Sequence, residues 1–166
     1  MGRTTIGLVS DTHGWLDPEL LEIFEEYGAE LIIHAGDIGD ESVIEQLEEV
    51  APVHAVRGNI DGGNLRFLPE EELVEVNGRT IAILHIAGNP RRPKRRAMDL
   101  IRRDKPDVIV VGHSHIPAVG EVEETLWINP GAAGRHGFHQ RRFAAMLHVD
   151  EETGELSMDR IELGVD

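Results

Sequence analysis

Apolar residues arrive along the chain in short runs that stop at turn-forming or polar residues. Runs at 4–9, 31–34, 53–56 and 108–111 have the length and near-continuous apolar character of buried strands. Between the first two, Leu20, Leu21, Ile23, Phe24 and Tyr27 recur at helical spacing. Asp17 predicts the N-cap of that helix, Pro18 its first turn and Gly28 its stop. Val43, Ile44 and Leu47 repeat the helical pattern behind Asp40, a second N-cap. This β-α-β-α-β order predicts parallel strands with helices packed on the sheet.

The second half reads differently. Apolar-rich stretches at 72–76 and 80–85 flank Asn77-Gly78, the signature of a hairpin. Residues 92–103 predict a basic helix. Segments 119–122, 126–129, 143–149 and 156–161 predict strands of a second, mostly antiparallel sheet, with a polar turn at 150–154. There is no repeat, low-complexity tract or linker. The 166 residues therefore predict one α/β domain over 1–166 with a single sizeable core.

Composition narrows the function classes. The chain is 40% hydrophobic, which argues against disorder, yet it holds no apolar run long enough to cross a bilayer. A strand follows the first residues directly, without a signal-peptide core. With no cysteine, disulfides and thiolate ligands are excluded, and the default expectation is a cytoplasmic protein. A formal charge of −15 argues against broad nucleic-acid binding or an anionic membrane surface, since both need a basic field. Paired divalent cations would reverse that sign locally and admit a phosphate.

The candidate chemistry lies where the apolar runs end. Asp11-Thr12-His13, Gly36-Asp37, Gly58-Asn59, the lone His85 and Gly112-His113-Ser114-His115 each follow a strand pattern. In open α/β sheets, ligands bind beyond the carboxyl ends of the strands. Asp, Asn and His together suit hard-to-borderline divalent metals. Gly58 and Gly112 predict sharp turns or close backbone approach.

The series D-x-H, G-D, G-N, a single His and G-H-x-H, in that order, resembles the calcineurin-like metallophosphoesterases. It is most similar to their small single-domain phosphodiesterase branch. The resemblance runs from residue 6 to the Asn129-Pro130-Gly131 turn. It implies a four-layer α-β-β-α sandwich of two mixed sheets flanked by helices. It also implies two divalent ions per chain, manganese first, with nickel, cobalt, iron and zinc as alternatives. One would be held by Asp11, His13, Asp37 and His115, and the other by Asp37, Asn59, His85 and His113. Asp37 would bridge the pair, because a carboxylate has two oxygens to offer. Within this set Asp37, Asn59 and His113 are assigned to the reaction, in which a metal-bridging hydroxide attacks phosphorus. Asn59, Arg91 and Arg92 are the candidates for substrate contact.

Three departures from the family pattern stand out. Ile60 follows Asn59 where many relatives carry a His that protonates the leaving group or holds phosphate. Ala87 stands where relatives often carry a second His after His85. Ala132 and Ala133 follow Asn129-Pro130-Gly131 where a Ser is common. His136 and His139, in a glycine-rich loop, either stand in for the missing acid or are simply exposed, the second being favoured. His34, His54 and His148 read as structural histidines. Asp40 and Asp61 are candidates for holding the outer nitrogens of ligand histidines, with Asp40 better explained as a cap. Trp15 either walls the pocket or packs under a loop. The run Arg91, Arg92, Lys94, Arg95 and Arg96 reads first as a solvated helix face.

Two functions compete, and a third, a nuclease, shares the metal chemistry but is disfavoured by the charge of −15. The leading expectation is a binuclear metal-dependent phosphodiesterase acting on a small phosphodiester or phosphate ester. The alternative is a metal-binding protein-interaction module on the same scaffold. Oligomeric state is open, a homodimer included.

Overall fold

Alternation along the strands fixes the layering. The computed structural model describes residues 2–137 and 139–165. Strands β1 (Arg3–Val9), β2 (Leu31–His34) and β3 (Val53–Ala55) are parallel, with helices α1 (Pro18–Tyr27) and α2 (Glu41–Glu48) in the crossovers, as expected. Asp17 caps α1 by accepting from the Glu19 N–H, and Gly28 ends it in the left-handed region. Asp40 caps α2 through the Ser42 N–H.

The hairpin β4 (Glu71–Val76) and β5 (Arg79–Leu84) turns at Asn77-Gly78, both at positive φ, as a two-residue hairpin turn requires. Next come the two-residue strands β6 (Gly88–Asn89) and β7 (Arg92–Pro93), then helix α3 (Arg95–Asp104). Strands β8 (Val108–Val111), β9 (Ala118–Val122), β10 (Thr125–Asn129), β11 (Arg142–Asp150) and β12 (Leu156–Leu163) follow, and a short 3-10 helix (Gly63–Phe67) lies between β3 and β4.

The sheets are β12-β11-β1-β2-β3 and β4-β5-β8-β10-β9. Each mixes parallel and antiparallel pairs, giving the expected pair of mixed sheets. The second-sheet reading needs two corrections. The strands at 143–149 and 156–161 belong to the first sheet, where β11 lies antiparallel to β1 from Arg3↔Asp150 to Leu8↔Ala145. The second sheet is not mostly antiparallel, because β5, β8 and β10 run parallel. β11 is buried almost end to end, so its own pattern marks a central strand without saying which sheet it joins. The basic helix is also shorter than expected. Pro93 and its pairing with Gly88 hold 92–93 extended, and Asn89 Oδ1 takes the N–H groups of Arg91 and Arg92 in a turn.

Odd and even residues of each central strand enter different cores. Leu8, Ile33, Ala145 and Leu147 face Ile81, Ile83, Val108 and Val110 between the sheets. Val9, Ile32, Ala144 and Met146 pack outward on Leu20, Phe24, Val43 and Leu47 of α1 and α2. Ala82, Leu84, Ile109, Val111 and Trp127 pack on Ala97, Leu100 and Ile101 of α3. The layers are therefore helix, sheet, sheet, helix. Among the described residues, no helix is long and apolar enough to cross a membrane.

Candidate metal centre

Six parallel strands bring their carboxyl ends to one edge of the sandwich. Asp11 follows β1, Asp37 follows β2, Asn59 follows β3, His85 follows β5, His113 follows β8, and Asn129 ends β10. The chain leaves these strands in tight turns. Asp11, His13, Asp37, His113 and His115 all have positive φ, between 48° and 73°. For residues other than glycine this costs about 1–3 kcal/mol each and persists only where surrounding bonds enforce it. Here those bonds tie turn to turn. Asp11 N–H donates to Gly36 O at 2.9 Å, His13 N–H to Asp37 O at 3.0 Å, and Gly14 N–H to Ile38 O at 2.7 Å. Asp61 accepts from Gly39 N–H at 2.9 Å and Gly58 N–H at 2.8 Å. It braces two loops rather than holding a ligand histidine.

Two groups of metal-capable side chains result: Asp11, His13 and His115, and Asp37, His85 and His113. Asn59 joins the second, its Oδ1 lying 3.0 Å from His85 Nε2 and 3.1 Å from His113 Nδ1. Asp37 lies between the groups. Its Oδ1 is 3.3 Å from His85 Nε2 and its Oδ2 is 3.5 Å from His13 Nε2. The structure thus brings all seven candidate ligands together, with Asp11, His13 and His115 in one group and Asn59, His85 and His113 around Asp37 in the other. Asp37 reaches both groups with separate oxygens.

The donor set fits divalent cations. Asp11 Oδ2 is occupied by the Ser10 hydroxyl at 2.6 Å and the His113 N–H at 3.0 Å. Asp11 Oδ1 and His13 Nε2 are buried with no hydrogen-bond partner among the described residues. Such orphaned groups are costly and call for an ion or water. Asp11 is buried, which pushes its carboxyl up, but the imidazoles of His115 and His85 and the Ser10 hydroxyl outweigh this and hold it below its ordinary value. Burial pushes Asp37 up too, and His85 outweighs it, so that carboxyl is also lowered. Burial pushes His13 and His113 down. At neutral pH the two carboxyls are charged and these two imidazoles are neutral, the forms that bind metal.

His85 and His115 are oriented from behind. His85 Nδ1–H donates to Ala35 O at 2.7 Å, which aims Nε2 at the centre. Burial pushes the His85 pKa down, but Asp37 and Asp11 outweigh it and raise it above its ordinary value, which favours a proton on this imidazole in the metal-free protein. His139 Nε2–H donates to Gly134 O at 2.7 Å, leaving its Nδ1 as an acceptor 3.0 Å from His115 Nδ1. His115 Nδ1–H therefore donates to His139, and its Nε2 faces Asp11 Oδ1 at 3.3 Å.

Glycine is required at Gly58 and Gly112. A Cβ on Gly58 would collide with the Asp37 backbone N and Oδ1, and one on Gly112 with Ser10 Oγ and Asp11 Oδ2. Asn129 supports the last ligand loop by donating to Gly112 O and Ser114 Oγ. Ala132 and Ala133 are buried, and the Ala133 N–H donates to Ser10 O.

The glycine-rich loop covers the His13 and His115 side. His136 stacks on His13 with ring centroids 4.7 Å apart, and Arg135 lies 3.9 Å over the Trp15 ring. Trp15 therefore anchors this loop. His136 is exposed, as expected, although its ring stacks on His13, whereas His139 is partly buried and bonds His115.

The structural histidines read as expected. His34 is wholly buried, with Nδ1 accepting from Gly36 N–H and Nε2 3.0 Å from Thr12 Oγ1. His148 bonds Thr5 and Asp159, and the half-buried His54 bonds Glu72. Arg91 and Lys94 line a cavity that reaches His113, whereas Arg92 is not among its described lining residues. Arg96 and Arg103 pair with Glu70 and Glu71. Of these side chains, sequence reasoning missed Ser10 and the tie from His139 to His115. Backbone acceptors such as Ala35 O carry no sequence signal.

A two-sheet sandwich with this ordered set at its strand ends defines a phosphoesterase scaffold. A family model described as the calcineurin-like phosphoesterase superfamily domain matches residues 5–152, and the chain belongs to that superfamily. It is 34% identical over 137 residues to a protein of Methanocaldococcus jannaschii named a probable metallophosphoesterase, covering 79% of this chain and 69% of that one. A phosphodiesterase of the same organism is 33% identical over 141 residues, covering 76% and 82%. Among solved structures, one titled as a novel archaeal phosphodiesterase matches with a TM-score of 0.73 and 26% identity, over 95% of this chain and 100% of that chain. Zinc-complexed Vps29 from Entamoeba histolytica matches with a TM-score of 0.75 and 18% identity, over 96% and 99%, and shares the fold.

Proposed function

We propose that this phosphoesterase is a phosphodiesterase whose seven-residue centre holds two divalent cations bridged by Asp37. The observation that carries this is the pair of buried, unpartnered atoms Asp11 Oδ1 and His13 Nε2 beside the second group of acceptors. Bare imidazole nitrogens and carboxylate oxygens facing one another repel unless positive charge lies between them. Mixed N/O ligands accept manganese, nickel, cobalt, iron or zinc. Divalent cations held by these residues would activate water at neutral pH and neutralise phosphoryl charge.

The chain's own residues do the rest. Asp37 offers one oxygen to each group. Asn59 turns its carbonyl oxygen toward His85 and His113, which leaves its exposed amide nitrogen to donate to a phosphoryl oxygen. Ile60, 46% exposed beside it, offers no proton to a leaving group. This favours esters with good leaving groups and a small phosphodiester as substrate.

The test adds Mn²⁺, Ni²⁺, Co²⁺, Mg²⁺ or Zn²⁺ in turn to metal-stripped protein with bis(p-nitrophenyl) phosphate. Metal-dependent turnover that disappears in His115→Ala supports the proposal. Tight metal binding without turnover would favour the interaction-module reading.

A further inference from the structure

A cavity of about 710 Å³ opens beside His113, between the β6–β7 hairpin and β9. It adjoins the group of Asp37, His85 and His113, whereas His136 packs on His13 of the other group. Its size falls within the range of about 300–1,000 Å³ that encloses whole small molecules, and a phosphoryl group alone would leave most of it empty. Pro90, Ile116 and Val119 line it with apolar surface. Ile116 is 65% exposed and Val119 57%, so both offer apolar surface to a ligand.

The charges on its wall are also distinctive. Arg91 and Lys94 line the cavity and form no ion pair with the described residues, whereas Arg96 and Arg103 of the neighbouring helix are paired with acids. In a chain with 31 acidic and 16 basic residues, two unpaired cations on one wall attract an anion. Glu121, on β9, can accept from a ring N–H or amino group.

We infer that this cavity receives one ester arm of the substrate and selects a nucleotide-like arm, a flat apolar ring carrying a second anionic group. This rests on the phosphodiesterase reading of the adjacent centre. The ring packs against Pro90, Ile116 and Val119, and Arg91 and Lys94 hold the second anion. The arm approaches from the His113 side, because the His136 loop covers the other.

The test compares three substrates on metal-loaded protein: methyl p-nitrophenyl phosphate, thymidine 5′-(p-nitrophenyl phosphate), and the latter carrying a 3′-phosphate. KM is expected to fall at each step by about tenfold, the scale of one buried ring or one charge-assisted bond. Val119→Asp should remove most of the first step and Arg91→Gln most of the second. Taking KM ratios within each variant cancels any general loss. Binding of thymidine 3′,5′-bisphosphate and of methyl phosphate, measured by calorimetry, gives the same comparison without turnover. Hydrolysis with equal KM across the series, or steps that survive both variants, overturns the cavity assignment alone. Absent hydrolysis combined with Arg91-dependent preference for the bisphosphate overturns the phosphodiesterase reading and leaves the cavity assignment standing. Equal binding of the two ligands overturns the cavity assignment whatever the turnover.

Discussion

His115 and His139 face each other through their Nδ1 atoms at 3.0 Å, and Gly134 O, 2.7 Å from His139 Nε2, decides which one donates. His115 donates through its outer nitrogen and turns Nε2 toward the centre. Outer partners of this kind are worth about 10–100-fold in metal affinity. His139→Ala should therefore weaken one of the two cation affinities by that factor and leave the other within error. His139→Asn, which can still accept, should recover part of it. Titration with Mn²⁺ checks this, and equal loss at both sites would contradict it.

Gly58 lies against Asp37 so closely that no side chain fits. Gly58→Ala should cost about 1–3 kcal/mol of stability and displace Asp37 enough to lose tight metal binding. Gly62, four residues on, has open space around its Cα. Gly62→Ala is the control and should change neither. Chemical denaturation and metal titration of both variants read the difference.

Burial of His34 pushes its pKa down to about 4, against an ordinary 6.5. Below pH 6.5 the unfolded chain takes up a proton that the folded chain refuses until about pH 4. Stability is thus full above pH 6.5 and falls toward pH 4, by up to about 3 kcal/mol from this residue. His85 has the opposite sign in metal-free protein. Its pKa is raised, so its contribution is present below 6.5 and lost as pH rises through the raised value. Urea unfolding of metal-free protein at pH 7 and pH 4.5 should show a smaller acid loss in His34→Gln than in wild type.

Protonation of His85 competes with cations at Nε2. Metal binding near neutral pH should release protons, and apparent affinity should fall as pH drops. Calorimetry in buffers of differing ionisation heat measures the release. A pH-independent affinity between pH 8 and pH 6 would exclude competition at this atom.

Ile60 leaves the leaving group without an acid beside Asn59. General-acid help is worth about 10²–10⁴-fold, so alkyl diesters should react far more slowly than aryl diesters. Ile60→His should narrow that gap, chiefly by raising the alkyl rate. Equal rates on both classes in wild type would show that another residue supplies the proton.

Much of this site was legible in the sequence because apolar runs stop at its residues. The ends at Val9, His34 and Val111 locate Asp11, Asp37 and His113 by strand length alone. The caps Asp17 and Asp40 were legible for the same local reason. Long-range pairing was not. Residues 143–149 read as a strand, yet only the register against Ile6 and Leu8 places them in the first sheet. The start of α3 shifted because Asn89 draws in the N–H groups of Arg91 and Arg92, a contact that helical periodicity does not register. His139 lay in a glycine-rich segment without periodicity, and its role depends on a loop path and a backbone carbonyl.

Counting bound Mn²⁺ per chain by equilibrium titration, in wild type and in Asp37→Ala, bears most directly on the shared centre. Two ions per wild-type chain are expected, with both affinities weakened together in Asp37→Ala, since that carboxylate serves both groups. A single ion in wild type, or an Asp37→Ala protein that keeps two tight sites, would contradict it.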